Sequence, residues 1–162
     1  MSLVIRQITS ADAEFVLALL NDPAWLRYIG DRKVRSIEDA AAYIDNVFTK
    51  QYTASGLGTF VIEEQGTQTP VGVCSLLQRE HLPGPDVGFA LLPKFRGKGI
   101  INRAISQMLN RPEVKQISNL YAQTLPQNSD SIRCIKRLGF EFERQLESAD
   151  EILNLYRLKR DN

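Results

Sequence analysis

Residues 88–104 read GFALLPKFRGKGIINRA, and this stretch decides the fold. An apolar strand runs into a basic turn with two glycines, Gly97 and Gly99, and the turn opens directly into a helix. That helix carries Ile100, Ile101, Ala104, Ile105, Met108 and Leu109 on one side. The first N–H groups of a helix have no partner within it and point outward, and the helix dipole favours an anion there. Glycines let the backbone approach a bulky phosphate, and Arg96 and Lys98 add positive charge beside it. The local physics describes a cradle for a phosphate or pyrophosphate. Two familiar phosphate loops do not fit. A P-loop needs four residues between its first glycine and Gly-Lys-Ser/Thr, a spacing this chain lacks. A dinucleotide fingerprint needs a third glycine where Asn102 stands and an acid near the end of the next strand, where 121–124 (YAQT) supplies none. The plain alternative is a tight strand-to-helix turn and nothing more.

Outward from this segment, the pattern alternates between periods. Residues 3–8 (LVIRQI), 59–63, 70–78 and 86–92 read as strands, short apolar and β-branched runs bounded by Gly and Pro. Residues 11–20 and 37–50 read as helices, the first capped by Thr9 or Ser10 and stopped by Asn21-Asp22-Pro23, the second opened by a capping box from Ser36 to Asp39. Residues 25–35 read as irregular. After the 100–109 helix, 114–124 reads as a strand, 128–138 as a helix ended by Gly139, and 141–146 and 151–159 as two closing strands. The order β-α-α-β-β-β-α-β-α-β-β predicts an α/β domain with a mixed sheet and helices on both faces. In such a domain Asn128 and Ser131, at the mouth of the second of these helices, lie on the same sheet edge as the Gly-rich turn.

Composition narrows the function classes. The 162 residues suit one domain, and 43% hydrophobic with 24% charged residues is ordinary globular usage. Lys plus Arg is 20 and Asp plus Glu is 19, a balance that argues against a nucleic-acid partner. No apolar run reaches the roughly 18 residues of a spanning helix, and 1–10 has no signal-peptide pattern. With only Cys74, Cys134 and His81, neither a disulfide framework nor a metal site is expected, and the cytoplasm is the default compartment.

The loop Arg96-Gly97-Lys98-Gly99-Ile100, the following strand, then Asn128-x-x-Ser131 and Lys136-Arg137-Leu138-Gly139-Phe140 resemble the GNAT acyltransferase superfamily. The branch most similar contains the ribosomal-protein N-terminal acetyltransferases, which 5–12 (IRQITSAD) and 36–40 (SIEDA) also match. The resemblance implies a single GNAT-like domain over 1–162, with a mostly antiparallel sheet of about seven strands. It implies acetyl-CoA as co-substrate and transfer to an amine. The pyrophosphate would lie on Arg96, Gly97, Lys98, Gly99 and Ile100, the pantetheine arm on the exposed backbone of Phe89, Ala90, Leu91 and Leu92, and Asn128 with Ser131 would contact the cofactor. Three positions depart from the pattern: Lys94 in place of Gln or Arg, Arg103 in place of a glutamate, and Ile135 where many members carry the tyrosine that protonates the thiolate.

Direct transfer needs a neutral amine, an oxyanion donor and a leaving thiolate. The donor expected is a backbone N–H near residues 90–92. The proton acceptor expected is Asp86, at the start of the strand leading to the cofactor, with Glu80 as a second candidate. His81, in a Pro-Gly-Pro loop, reads as a surface histidine, and Cys74 as a small buried hydrophobe. Trp25, Tyr28 and Tyr43 fall in the region that forms one wall of the acceptor site in the family. The acceptor the resemblance implies is an amine, either a peptide N-terminus or a small molecule. The alternative is a non-catalytic acyl-CoA-binding domain, supported by Ile135. No membrane partner is expected, and a sheet edge could pair two copies as a homodimer.

Overall fold

The computed structural model describes residues 1–161. Seven strands form one sheet: β1 (Leu3–Gln7), β2 (Gly58–Glu64), β3 (Thr69–Leu77), β4 (Asp86–Leu91), β5 (Asn119–Thr124), β6 (Glu141–Glu147) and β7 (Ile152–Lys159). Their order across the sheet is β1-β2-β3-β4-β5-β7-β6, and every neighbouring pair is antiparallel except β4 with β5. The expected mixed, mostly antiparallel sheet is therefore present. Three consecutive residues of β2 explain its unbroken apolar run: Phe60 and Ile62 pack into one core and Val61 into the other, because side chains alternate and both faces are covered.

One face carries α1 (Ala13–Leu20), α2 (Pro23–Tyr28) and α3 (Ile37–Tyr43), which continues through a π-helical turn at Ile44–Phe48 into α4 (Thr49–Gln51). Val16, Leu19, Leu20, Ile44 and Phe48 bury themselves there against Val61 and Val73. The other face carries α5 (Ile100–Leu109) and α7 (Ser129–Arg137), whose Ile100, Ile101, Ile105, Met108 and Ile135 pack with Ile62, Leu76, Leu120 and Tyr156. A short α6 (Pro112–Lys115) links α5 to β5. Two stretches differ from the sequence expectation, and for one reason. Residues 25–35 are not irregular throughout, since α2 occupies Pro23–Tyr28, and residues 114–118 are not strand, since α6 occupies Pro112–Lys115. In both, proline stands at the first helical turn, where its missing N–H costs nothing. The Asn-Asp-Pro that ends α1 also starts α2, because Asp22 accepts a bond from Ala24 N–H at 3.2 Å. The capping box at Ser36 is half formed: Ser36 accepts from Asp39 N–H, while the Asp39 carboxylate takes the N–H of Arg35 rather than of Ser36.

The C-terminal end is fastened by Arg160. Its guanidinium donates to Leu109 O at 2.9 Å, to Val114 O at 2.7 Å and twice to Ile117 O, at 2.9 and 3.2 Å. Leu109 O and Ile117 O lie at or just past the ends of α5 and α6, and Val114 O also accepts from Ile117 N–H. We expect Arg160→Ala to lower stability by about 2–3 kcal/mol. Urea unfolding should show an earlier midpoint with an unchanged slope.

Candidate functional site

The parallel pair β4–β5 shares one bridge, Asp86 with Tyr121, and the strands then part. The parity of β4 decides what the gap contains. Tyr121 N–H donates to Pro85 O at 2.9 Å, whereas Leu92 N–H donates to Val71 O at 2.9 Å. Along an antiparallel ladder the bonding direction alternates, so Val87, Phe89 and Leu91 turn their backbone away from β3 toward the gap. Of the four residues expected to present backbone there, Phe89 and Leu91 do so, and Ala90 and Leu92 face β3. The amide that faces the gap nearest the turn is Leu91 N–H.

The far end of the gap is the Gly-rich turn. Gly97 and Gly99 have φ of 75° and 74°, in the left-handed region, and Gly99 is the N-cap of α5. A Cβ placed on either would meet nothing within 4 Å. The glycines thus border open space at a helix N-terminus, and this arrangement fits a diphosphate. Lys98 has no ion-pair partner among the described residues, so its charge is available there. Arg96 is differently employed. Its Nη2 donates to Asp22 Oδ2 at 2.5 Å and to Leu91 O at 3.0 Å, locking the turn to the α1–α2 junction and to the end of β4. Asn128 caps α7, its Oδ1 accepting from Ser131 N–H at 3.3 Å, so the ordinary capping reading holds and its amide nitrogen is the group left for a ligand.

The near end of the gap holds Asp86, which is 5% exposed. Its Oδ2 accepts from Arg79 Nε and from Gln123 Nε2, both at 3.3 Å, and its Oδ1 is buried with no partner. Burial pushes the carboxyl up to about 6, against the pull of Arg79. His81 Nε2 lies 3.2 Å from Gln123 Oε1, so this exposed histidine belongs to the same group. Sequence reasoning did not find Arg79 or Gln123, since nothing in the chain marks residues 7 and 37 positions from Asp86 as its neighbours. Glu80, the second candidate, is exposed and bonds to none of them. Burial pushes the Cys74 thiol up to about 12 and raises that of Cys134, so neither is a ready nucleophile. Ile135 is 2% exposed in the core beneath the sheet. Trp25 and Tyr43 pack in the same cluster as Ala90 and Leu92, so this part of the helical wall does border β4. Among the described residues, no group of three or more His, Cys, Asp and Glu could hold a metal, and no helix is long and apolar enough to cross a membrane.

Known proteins resemble this chain in sequence and in fold. The chain is 26% identical over 144 residues to an uncharacterized N-acetyltransferase, YoaA, of Bacillus subtilis strain 168, covering 87% of this chain and 80% of that one. Its fold superposes with a TM-score of 0.80 on RimL, a ribosomal L7/L12 α-N-protein acetyltransferase solved with coenzyme A, at 18% identity over 98% of this chain and 94% of the other. A ribosomal-protein-S5-alanine acetyltransferase from Vibrio fischeri gives a TM-score of 0.78, at 18% identity over 100% and 95%. The profile of the acetyltransferase (GNAT) domain matches residues 2–141, and the chain belongs to that family.

Proposed function

We propose that the chain moves the acetyl group of acetyl-CoA onto a primary amine, with an α-amino group as the favoured acceptor and Asp86 as the proton acceptor. The observation that carries this reading is the gap between β4 and β5, with an anion cradle at one end and a buried carboxylate at the other. Bound there, acetyl-CoA supplies an activated thioester. The cradle of Gly97, Lys98, Gly99 and Ile100 would hold the diphosphate, and Phe89 with Leu91 would pair their backbone with the amides of the pantetheine arm. Of the gap-facing amides, Phe89 N–H lies nearer Asp86 and is the donor a developing oxyanion would meet, while Leu91 N–H is left to the arm. Asp86 takes the proton from the amine. A carboxyl near 6 lies about 2 units below an α-ammonium but more than 4 below a lysine-type ammonium. An N-terminal amine is therefore the acceptor it can serve best.

Acetyl-CoA should bind the wild type in calorimetric titration. The double variant Gly97→Asp with Gly99→Asp, still folded, should bind at least roughly tenfold more weakly, because two carboxylates enter the cradle. A folded wild type that does not bind acetyl-CoA would overturn the reading.

Acetyl transfer to peptides with a free α-amino group should outpace transfer to spermidine or an aminoglycoside. Against pH, log kcat/KM should rise with unit slope, level near 6, where Asp86 becomes charged, then fall above the amine's own value. Asp86→Asn should remove that break and lower kcat/KM by roughly 10²–10⁴-fold. A break that survives in the variant would exclude Asp86.

Stability should move the other way. The folded carboxyl holds its proton to about 6, the unfolded one only to about 3.8, so the wild type loses stability as pH rises through that window. Urea unfolding at about pH 4.5 and about pH 7 should show this loss in the wild type and not in Asp86→Asn.

A further inference from the structure

Asp86 does not stand alone, and the groups around it come from both sides of the gap. Arg79 and His81 lie on the loop between β3 and β4, and Gln123 lies on β5. We propose that Gln123, held by His81, is a positioning residue for Asp86, fixing which carboxylate oxygen is kept for the acceptor. This rests on Asp86 being the proton acceptor.

The bonding directions follow from what each atom can do. A carboxylate only accepts, so the amide nitrogen of Gln123 must face Asp86 Oδ2, 3.3 Å away. That turns Gln123 Oε1 toward His81 Nε2 at 3.2 Å. An amide oxygen also only accepts, so His81 carries a proton on Nε2. The donors therefore run in one direction, from His81 to Gln123 to Asp86. Arg79 Nε meets the same Oδ2 at 3.3 Å, so both donors occupy one oxygen and Oδ1 receives none. The loop that brings Arg79 and His81 is itself anchored. Gln78 Nε2 donates to Arg79 O and to Leu82 O, and Leu82 is buried against Tyr121 and Leu155. Glu80 on that loop forms no ion pair with Arg79 or His81.

The test reads the Asp86 carboxyl directly, in protein labelled with ¹³C at aspartate carboxyls, with Asp86→Asn identifying its resonance. It is run beside acetyl transfer from acetyl-CoA to a peptide with a free α-amino group. Gln123→Leu and His81→Phe each remove support for the charged form, so the carboxyl midpoint should move up by roughly half to one pH unit. The break in the pH profile should move with it. His81→Gln keeps a nitrogen donor where Nε2 stands and should bring both back to the wild-type value, while acetyl-CoA affinity stays unchanged throughout. His81 is exposed, so its variants remain informative should Gln123→Leu fail to fold. An Asp86 midpoint and a break that stay put in both Gln123→Leu and His81→Phe would overturn the positioning role alone. A break that persists in Asp86→Asn would instead overturn the assignment of Asp86 on which it rests.

Discussion

Tyr121 N–H bonds Pro85 O, Asp86 faces Tyr121, and beyond that bridge β4 and β5 make no further pair. Each strand is committed elsewhere. Six residues of β4, Asp86–Leu91, are in register with β3, and six of β5, Asn119–Thr124, with β7. The sheet is thus two antiparallel halves joined at one seam, and each half holds its own strand away from the other. The separation leaves backbone groups of Phe89 and Leu91 without a strand partner. Such groups are strongly disposed to bond, and an extended ligand with its own amides supplies what the missing strand would. Arg96 removes one of them from competition by bonding Leu91 O, so Leu91 offers its N–H alone.

The same seam accounts for the state of Asp86. At the last point where the strands touch, a carboxylate is walled by both halves and cut off from water. Desolvation raises its proton affinity, and the pull of Arg79, with smaller help from Gln123 and His81, only partly offsets this. A carboxyl so placed weakens the fold at neutral pH while gaining the proton affinity that a base needs. Oδ1, the sealed and unpaired oxygen, is an unfavourable feature for stability alone. Arg79, which binds the other oxygen, is itself an exposed side chain.

What could be read from the sequence was what short segments decide. The Gly97–Gly99 turn, the apolar stripe of α5, the cap at Asn128 and the strands β2, β3 and β4 all follow from local chemistry, and the structure keeps them within a residue or two of the expected bounds. Proline is ambiguous because it both ends and begins helices: Pro23 follows the end of α1, yet it and Pro112 each start a helical turn. The partners of Asp86 were out of reach for a different reason. Gln123 meets it only because β5 crosses back beside β4, and Arg79 only because the β3–β4 loop folds over the seam. The parity of Phe89 and Leu91 was equally hidden. It depends on one long-range bond, Leu92 to Val71, and a shift of one residue would have reversed it.

Arg96, in the turn that forms the cradle, serves the fold. Asp22 is 7% exposed, and its Oδ2 accepts both from Ala24 N–H, which starts α2, and from Arg96. One carboxylate oxygen therefore ties the helical wall over β4 to the turn that ends the gap. The wall packs its inner side, Trp25, into the cluster that includes Ala90 and Leu92, and leaves Leu26 and Ile29 more than a third exposed on its outer side. Changes at those outer positions can alter what the wall meets without moving the Asp22–Arg96 contact. The cradle and the wall are thereby tied through one buried carboxylate, and the chemistry of the approach is left to exposed side chains. A fold arranged this way can keep one donor site and take different acceptors.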